Sequence, residues 1–413
     1  MSGLGGHIMH LYEDNTLTFG DLKNIAKDLC TSAINVTEKV DGVNIFFNYD
    51  FSTDDIRIAR NKSMLLRGGL DEDGVRRQWP DVHLPFGRVF IESIGVLKNF
   101  IKKHIRRELM ESIFGNRSGK EVWFSAEIIH PELTNVIYYG KKAIVFHCDG
   151  IVIDHTGNIL RQSTNIKPHF DLFMKSLESK YYLLDNQWRI LKPIDINKQI
   201  NDNLDYYHSL LHNFNRNLDH IMEKWRITNE NTIFDFFRKR MSGYLQKNGF
   251  TSDTELNAAL NTIFEKKGIN EVESLLNYES ITYYQYDLVK KIYGGKYYYK
   301  FLRPLEKCIF DFSVKFLKPL HSSLMSKGES YNAIKRIKIQ LKKAISNINK
   351  HGNQEIVDQL TANAAKIGNI DDLYFGLEGV VFQWNNKKYK LTGYFAPINK
   401  IYNINKNVSI KYT

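Results

Sequence analysis

The order of strand-like and helix-like segments along the 413 residues is the feature that most constrains the fold. Short β-rich runs such as VNIFFNY, VWFSAEII and AIVFHCDGIVI fill residues 1–160, and the runs LEGVVFQW and KKYKL follow residue 372. The stretch between them, residues 161–371, instead shows the apolar spacing of helices. We therefore predict an α+β fold in which a domain of antiparallel sheets with helices, residues 1–160 and 372–413, is interrupted by an α-helical domain, residues 161–371.

Local signals predict individual elements within this plan. Thr18 followed by Asp21 is typical of a capped helix start. Apolar spacing predicts one helix over Val96–Phe114, and Asn385-Asn386 predicts a two-residue hairpin turn between the last two strands. In the helical domain, the segment YNAIKRIKIQLKKAISNINK combines an isoleucine stripe with flanking lysines, which predicts an amphipathic helix.

Composition predicts a soluble protein that has a polyanionic partner. No run of about 18 apolar residues is present, so we expect no association with a membrane. The net charge of +11 favours nucleic acid as the partner, and a solvated lysine-rich surface fits the same charge. Cys30, Cys148 and Cys308 are odd in number and far apart, and the start of the chain lacks the pattern of a secretory signal. We therefore expect a cytoplasmic location.

The short string Glu38-Lys39-Val40-Asp41-Gly42 lies where one strand-like run ends and the next begins. A lysine held at such a turn is a candidate nucleophile, because the chain fixes its amine instead of leaving it mobile in solvent. Only the neutral amine attacks, so we expect burial and neighbouring cations to lower the pKa of this lysine. The alternative is a surface strand lysine followed by an ordinary Asp-Gly turn.

The longer string EKVDGVN resembles the nucleophile motif of the covalent nucleotidyltransferases, the superfamily of ATP-dependent polynucleotide ligases and mRNA capping enzymes. It is most similar to the branch of RNA ligase 2-like and RNA-editing ligases, whose pattern is E-K-x-H/D-G-x-N. The resemblance implies that Lys39 is the catalytic nucleophile and that Glu38, Asp41, Gly42 and Asn44 belong to the nucleotide-binding site. Asp41 stands where this branch often has a histidine.

Three further segments follow in the order in which the family has its motifs. IARNK contains Arg60, which the resemblance implies contacts a phosphate. VWFSAEII contains Glu127, the implied ligand of the nucleotide ribose, with Ala126 in place of the usual glycine. In AIVFHCDGIVI, Phe146 is the candidate for stacking on the base, and a core phenylalanine fits this pattern equally well.

The strands after residue 372 supply the last two motifs. LEGVVFQW makes Glu378 the implied metal-associated carboxylate, with Gln383 where a lysine is often found. KKYKL supplies Lys388 and Lys390, which the resemblance implies bind the α-phosphate. The implied cofactors are ATP and Mg²⁺, an ion that prefers oxygen ligands. Each residue taken alone could be an ordinary strand carboxylate or solvated lysine, and their order along the chain favours the family.

The resemblance implies an ATP-grasp-like nucleotidyltransferase domain and a three-step reaction. Lys39 takes AMP from ATP, the AMP moves to an RNA 5′-phosphate, and a 3′-hydroxyl then displaces AMP as the ends join. Few residues follow Lys390, so we expect no C-terminal OB domain of the kind that DNA ligases and capping enzymes use. This favours RNA over DNA as the partner.

Other interpretations stay open. A DNA nick ligase or a GTP-using capping-type enzyme would use the same motifs, and a non-catalytic nucleic-acid-binding or virion-associated protein could retain the same domain. GGHIMHLYED and KLTGYFAPIN resemble segments of phage proteins, in which case the cytoplasm would be that of the host. Lys335–Lys343 could track a phosphate backbone or cover a solvated helix face, and Tyr283–Phe301 could stack on unpaired bases or pack in a core.

Overall fold

The fold was obtained as a computed structural model, and the structure describes residues 8–80, 85–115, 119–133, 142–160, 163–176, 182–184, 188–191, 196–265, 282–293, 298–322 and 378–393. The strands are β1 (Met9–His10), β2 (Val36–Lys39), β3 (Val43–Asp50), β4 (Asp55–Ala59), β5 (Glu121–Ile129), β6 (Lys142–Ile153), β7 (Ile159–Leu160), β8 (Tyr182–Leu184), β9 (Trp188–Leu191), β10 (Gly379–Trp384) and β11 (Lys387–Thr392). The helices are α1 (Phe19–Cys30), α2 (Lys62–Leu66), α3 (Glu72–Gln78), α4 (Pro85–His104), α5 (Arg107–Ile113), α6 (Ser163–Ser176), α7 (Asn197–Asn201), α8 (Leu204–Trp225), α9 (Ile233–Lys247), α10 (Asp253–Glu265), α11 (Tyr283–Tyr293) and α12 (Tyr298–Leu317).

The described residues divide into two compact units. The first, here called the sheet unit, contains residue 8 and residues 35–199, 317–322 and 378–393 with the gaps given above. The second, the helical unit, contains residues 9–34 and the described part of 200–316. One unit is rich in strands and the other in helices, a mixed α/β composition that is consistent with the predicted α+β class.

The larger sheet of the sheet unit has the strand order β4-β3-β5-β6-β9-β8, with β7 paired to β6. Neighbouring strands are antiparallel except β6 and β9, which pair in parallel. In β3 to β6 most side chains are apolar on both faces, because both faces of these strands are covered. Runs such as VNIFFNY therefore read as nearly continuous hydrophobic stretches.

The two faces of the larger sheet pack into hydrophobic clusters of different size. Alternate residues such as Ile45, Phe47 and Phe124 pack with α4, α5 and α6 in the main hydrophobic cluster. The opposite face carries a smaller cluster that includes Phe46, Trp123 and residues of α2. Because side chains alternate along a strand, each residue's position in the sequence decides which of these two environments it enters.

A second sheet contains β2, β10 and β11, all antiparallel to their neighbours. β10 and β11 are joined by Asn385 and Asn386, whose φ angles of 47° and 62° are left-handed. Two left-handed residues are what a type I′ hairpin turn requires, and asparagine tolerates that region better than most residues. The predicted two-residue turn is therefore confirmed.

The helical unit begins with the capped helix that the sequence predicts. The Thr18 hydroxyl accepts a hydrogen bond from the Asp21 amide at 2.9 Å, and the Asp21 carboxylate accepts one from the Thr18 amide at 2.9 Å. Thr232 and Asp235 form the same reciprocal cap at the start of α9. Each cap satisfies amide groups that a helix start would otherwise leave without partners.

The division of the chain differs from the predicted domain boundaries at three places, one of which is residues 317–322, predicted in the helical domain and found in the sheet unit. Residues 9–34 belong to the helical unit, because α1 packs against it: the Phe19 and Phe236 rings lie 5.7 Å apart, and the Gly20 amide donates to the Asn229 carbonyl. Residues 161–199 belong to the sheet unit, because β9 extends the larger sheet and α6 covers it. Local periodicity does not reveal either docking, since both depend on contacts distant in sequence.

Two predicted helices have different outcomes. The segment predicted as one helix over Val96–Phe114 forms two, because the chain leaves helical geometry at Arg106 with ψ of 145°. The break allows Ile105 and Met110 both to enter the main core. The isoleucine-striped segment 331–350 and its lysines Lys335–Lys343 lie outside the described residues.

Among the described helices, none is both long enough and apolar enough to cross a membrane.

A substitution at Gly379 tests whether the close packing of β10 on β11 stabilises the second sheet. A Cβ at this position would lie 2.1 Å from the Leu391 carbonyl oxygen, so we expect Gly379→Ala to lower the free energy of unfolding by about 3 kcal/mol. Gly95→Ala is the matched control, because nothing lies within 4 Å of a Cβ there, and alanine in that helix should stabilise by about 0.5–1 kcal/mol. Thermal unfolding of the two variants measures both effects, and equal midpoints would contradict this packing.

Candidate functional site

The turn from β2 to β3 fixes the position of Lys39. Lys39 ends β2, Val40 is buried, and the Gly42 amide donates a 3.0 Å hydrogen bond to Oε1 of Glu127 on β5. A Cβ on Gly42 would lie 2.6 Å from both Glu127 Cγ and the Ile128 carbonyl oxygen. Only glycine lets the turn approach β5 so closely. The turn therefore attaches the end of β2 to the larger sheet.

Carboxylates surround the Lys39 amine. Its Nζ lies 2.5 Å from Oε1 of Glu378, the residue immediately before β10, and both side chains are largely buried. The register places Lys39 opposite Gly379, so strand pairing brings Glu378 beside it. Glu127 and Asp41 lie close enough to act on the Lys39 charge. One ammonium thus shares a buried cluster with three carboxylates.

This cluster shifts two pKa values. Burial acts to lower the pKa of Lys39, but the carboxylates of Glu378, Glu127 and Asp41 together outweigh it, so the pKa is raised. The predicted lowering is therefore wrong for the chain without ligands, because its neighbours are acids where we expected cations. Burial raises the pKa of Glu378 to about 7; Asp41 and Glu127 add to the rise, and Lys39 opposes it. The surplus of negative charge favours the uptake of a proton or a metal cation.

A row of polar groups crosses one face of the larger sheet, the face that carries the smaller hydrophobic cluster. Asn44 on β3 lies opposite Glu127 on β5, and its Nδ2 donates to Ser125 Oγ at 3.0 Å. Oε2 of Glu127 is 2.9 Å from Nε2 of His147 on β6. These groups continue the polar environment of Lys39 along the sheet, on the face that also carries the cluster with Phe46 and Trp123.

Lys388 and Lys390 share a sheet face with Lys39. β10 pairs Val381 with Lys390 and Gln383 with Lys388, while Gly379 pairs with Lys39 on the other side. Directly paired residues point to the same face, so the three lysines lie on one side of this sheet. Lys390 is two strands and two residues from Lys39, about 10 Å across and about 7 Å along the sheet. Long lysine side chains span such distances, so their amines can approach one anionic group.

Three predicted site residues lie elsewhere. Glu38 is on the opposite, buried face of β2. The Arg60 guanidinium packs over the Phe86 and Phe90 rings of α4 at 5.4 and 5.7 Å from their centroids, and burial lowers its pKa. Phe146 is 1% exposed and packs in the main core, with its ring 5.0 Å from that of Phe173. The structure does not bring these three side chains to the carboxylate cluster.

His147 and Ser125 are the neighbours that the sequence did not reveal. His147 follows Phe146 on β6, so the two side chains take opposite faces, and the histidine is the one on the side of Glu127. The available signal was a polar residue directly after the apolar run AIVF. Ser125 lies where the β5–β6 register shifts between Phe124 and Ala126, and a residue pattern does not predict such an irregularity.

The cluster fits a divalent cation that keeps part of its water shell. In the described part of the chain, no group of three or more His, Cys, Asp and Glu side chains could hold a metal ion. One or two carboxylates, such as Glu378 and Asp41, nevertheless suit Mg²⁺, which proteins usually bind with few side chains, several waters and substrate phosphates. The neighbouring carboxylates Glu378, Asp41 and Glu127 supply negative charge that such an ion would offset.

Searches for similar proteins found no matching family model, no matching curated protein and no matching solved structure.

The raised pKa of Glu378 predicts a pH-dependent stability. Between its ordinary pKa of 4.5 and about 7, the folded chain holds a proton that the unfolded chain has lost. Stability from this group is therefore complete below pH 4.5 and declines as the pH approaches 7, by on the order of 2 kcal/mol. Glu378→Gln should remove this decline when thermal unfolding is measured at pH 4.5–7.5 without metals or nucleotides.

Glu72→Gln is the control, because Glu72 is an exposed carboxylate in an i,i+4 ion pair with Arg76. It should keep the pH dependence of the wild-type protein. A Glu378→Gln protein with the same decline as wild type would show that another group takes up the proton.

Proposed function

We propose that this chain is an ATP-dependent RNA ligase that joins 5′-phosphate and 3′-hydroxyl ends through AMP bound covalently to Lys39. The observation that carries the proposal is the position of Lys39 on a constrained turn, paired to Glu378 and on one sheet face with Lys388 and Lys390. A nucleophile, an acidic cluster suited to a cation and two further lysines are the parts that nucleotidyl transfer uses. A structural lysine would not need this combination.

The proposal includes a specific fold for the sheet unit, an ATP-grasp-like nucleotidyltransferase domain. Support comes from two mainly antiparallel sheets, with the turn after β2 held against β5 of the larger sheet. The motifs EKVDGVN, VWFSAEII, LEGVVFQW and KKYKL lie on or beside strands, as the resemblance implies. In this proposal the helical unit contributes to nucleic-acid binding.

The first step forms the lysyl nucleotide. The neutral Lys39 amine attacks the α-phosphorus of ATP, a phosphorus–nitrogen bond forms, and the phosphorus–oxygen bond to pyrophosphate breaks. The attacking nitrogen then carries a positive charge, and it releases one proton to water as the phosphoramidate forms. Lys388 and Lys390 offset the charge on the nonbridging oxygens, and holding the amine in line with the leaving group supplies much of the rate.

Glu378 accepts the first proton from Lys39. The two groups are 2.5 Å apart, so Glu378 is the carboxylate in position to take this proton. The raised pKa of Lys39 means that the chain alone keeps the amine charged and unreactive. When bound, Mg²⁺ would supply positive charge beside Glu378 and Asp41, and this lowers the pKa of a neighbouring amine.

The later steps are transfer of AMP to an RNA 5′-phosphate and attack by a 3′-hydroxyl on the activated end. Asn44 and Glu127 are the proposed contacts to the nucleotide in these steps, since they lie side by side on the same face of β3 and β5. The resemblance of EKVDGVN to the RNA ligase 2-like branch favours RNA over DNA as the substrate.

Nucleotide labelling tests the proposed first step. Wild type, Lys39→Ala and the charge-preserving Lys39→Arg are incubated with Mg²⁺ and α-labelled ATP or GTP after treatment with pyrophosphate, and then separated under denaturing conditions. We expect label from ATP in wild type and at least a thousandfold less in both variants, because neither can form the phosphoramidate. Label from GTP instead would favour a capping-type enzyme, and no label in the folded wild-type protein would favour a non-catalytic nucleic-acid-binding protein.

Labelled protein then identifies the acceptor. Nicked duplex DNA, nicked duplex RNA and single-stranded RNA with 5′-phosphate and 3′-hydroxyl ends are compared at equal concentration. The proposal predicts faster joining of RNA ends. Joining restricted to nicked DNA would identify a DNA nick ligase.

Strand alternation on β11 gives a matched test of the proposed phosphate contacts. Lys390→Ala should lower the rate of label formation about a hundredfold, because one charge-neutralising donor is removed. Lys387→Ala should retain the rate within about twofold, since Lys387 lies on the other face of the same strand. Equal losses in the two variants would contradict the assignment of the active face.

A further inference from the structure

Glu127 links two elements of the sheet unit through its two carboxylate oxygens. Oε1 accepts the Gly42 amide hydrogen at 3.0 Å, and Oε2 lies 2.9 Å from His147 Nε2. The Glu127 side chain is 13% exposed and that of His147 is 24% exposed, so water competes only weakly for these contacts. The carboxylate is therefore held from both sides.

The position of His147 suits a donor to Glu127. An ionised carboxylate only accepts hydrogen bonds, so His147 carries a hydrogen on Nε2 when the two are bonded. β5 and β6 pair Glu127 with Val145, and His147 is the diagonal neighbour two residues on, within reach across the strands. The strand backbone thus sets the place of the imidazole ring.

Gly42 has little freedom to move relative to Glu127. A Cβ on Gly42 would lie 2.6 Å from Glu127 Cγ, which shows how closely the turn lies against this side chain. A rotation of Glu127 would break the bond to the Gly42 amide. Lys39 is three residues away on the same short turn, so its amine would be affected.

We propose that His147 is a positioning residue for Lys39: it holds Glu127 in the rotamer that fixes the Gly42 amide, and thereby sets the direction of the nucleophile. Its catalytic consequence rests on the proposed function. A carboxylate offers about four lone-pair sites, so Glu127 retains capacity for a ribose hydroxyl while it keeps both contacts. His147 therefore contributes to the site, whereas the side chain of the preceding residue, Phe146, packs in the main core.

Hydrogen exchange of the Gly42 amide tests the mechanical link without any need for activity. Protection of this amide depends on its bond to Glu127. Glu127→Ala and His147→Ala should each speed its exchange at least tenfold, His147→Gln should restore most of the protection, and His155→Ala, at an exposed turn histidine, should change nothing. Unchanged exchange in a folded His147→Ala protein would overturn the proposal, whatever the enzyme does.

A double-mutant cycle tests the catalytic consequence. At saturating ATP, His147→Ala should lower the rate of lysyl-AMP formation about thirtyfold with a change in the ATP KM below about threefold, and His147→Gln should recover most of the rate. In the Glu127→Ala background, His147→Ala should lower the rate of lysyl-AMP formation by less than about twofold, because its effect passes through Glu127. Multiplicative losses, or a raised KM with an unchanged rate, would overturn the positioning role.

The two experiments separate this inference from the proposed function. Altered Gly42 exchange in His147→Ala together with absent labelling of wild type would leave the mechanical link standing and remove its catalytic consequence. Normal labelling of wild type with unchanged Gly42 exchange in His147→Ala would retain the proposed function and overturn the role of His147.

Discussion

A surplus of buried carboxylate over ammonium is the constraint on which the site depends. Glu378, Glu127 and Asp41 act on one lysine, Lys39, in a region where water screens charge poorly. Burial is the main cause of the raised pKa of Glu378, and the like charges of Asp41 and Glu127 add to it. Strand pairing of β2 with β10 and the contact between Gly42 and Glu127 keep the acids together. Uptake of a proton or a metal cation would reduce this repulsion, and the proposed nucleotidyl transfer would use a metal cation.

Strand alternation separates the residues that build the fold from those available for chemistry. On the second sheet, Glu38, Val380 and Tyr389 fill the buried face, while Lys39 and Lys390 lie on the other. The larger sheet repeats this division, with an aromatic core under α4–α6 on one side and the row from Asn44 to His147 on the other. A register shift of one residue in either sheet would exchange the residues of the two faces. The strand pairing is therefore part of the site.

The sequence predicts most of the local structure because the relevant signals are local. Strands β3 to β6, β10 and β11, the Thr18 cap and the Asn385-Asn386 turn follow from residue preferences and alternation alone, whereas β8 and β9 lie in a segment predicted to be helical. The docking of α1 and the break at Arg106 depend on packing between distant segments, which periodicity does not encode. At the site, motif order identified Lys39 and Glu378, whose pairing the structure shows. It could not predict that Phe146 faces the core and His147 faces Glu127, because assigning the two faces of β6 requires knowing which side its helices cover.

The central claim is that Lys39 acts as a nucleophile toward ATP, and peptide-mapping mass spectrometry of the native chain tests it most directly. Protein stripped with pyrophosphate is incubated with ATP and Mg²⁺, digested near neutral pH to preserve an acid-labile bond, and searched for nucleotide adducts on every lysine. The account predicts AMP on the peptide containing Lys39, lost again on addition of pyrophosphate, and none on the peptides containing Lys388 or Lys390. An adduct on a different lysine, or an unmodified Lys39 in folded protein, would contradict it.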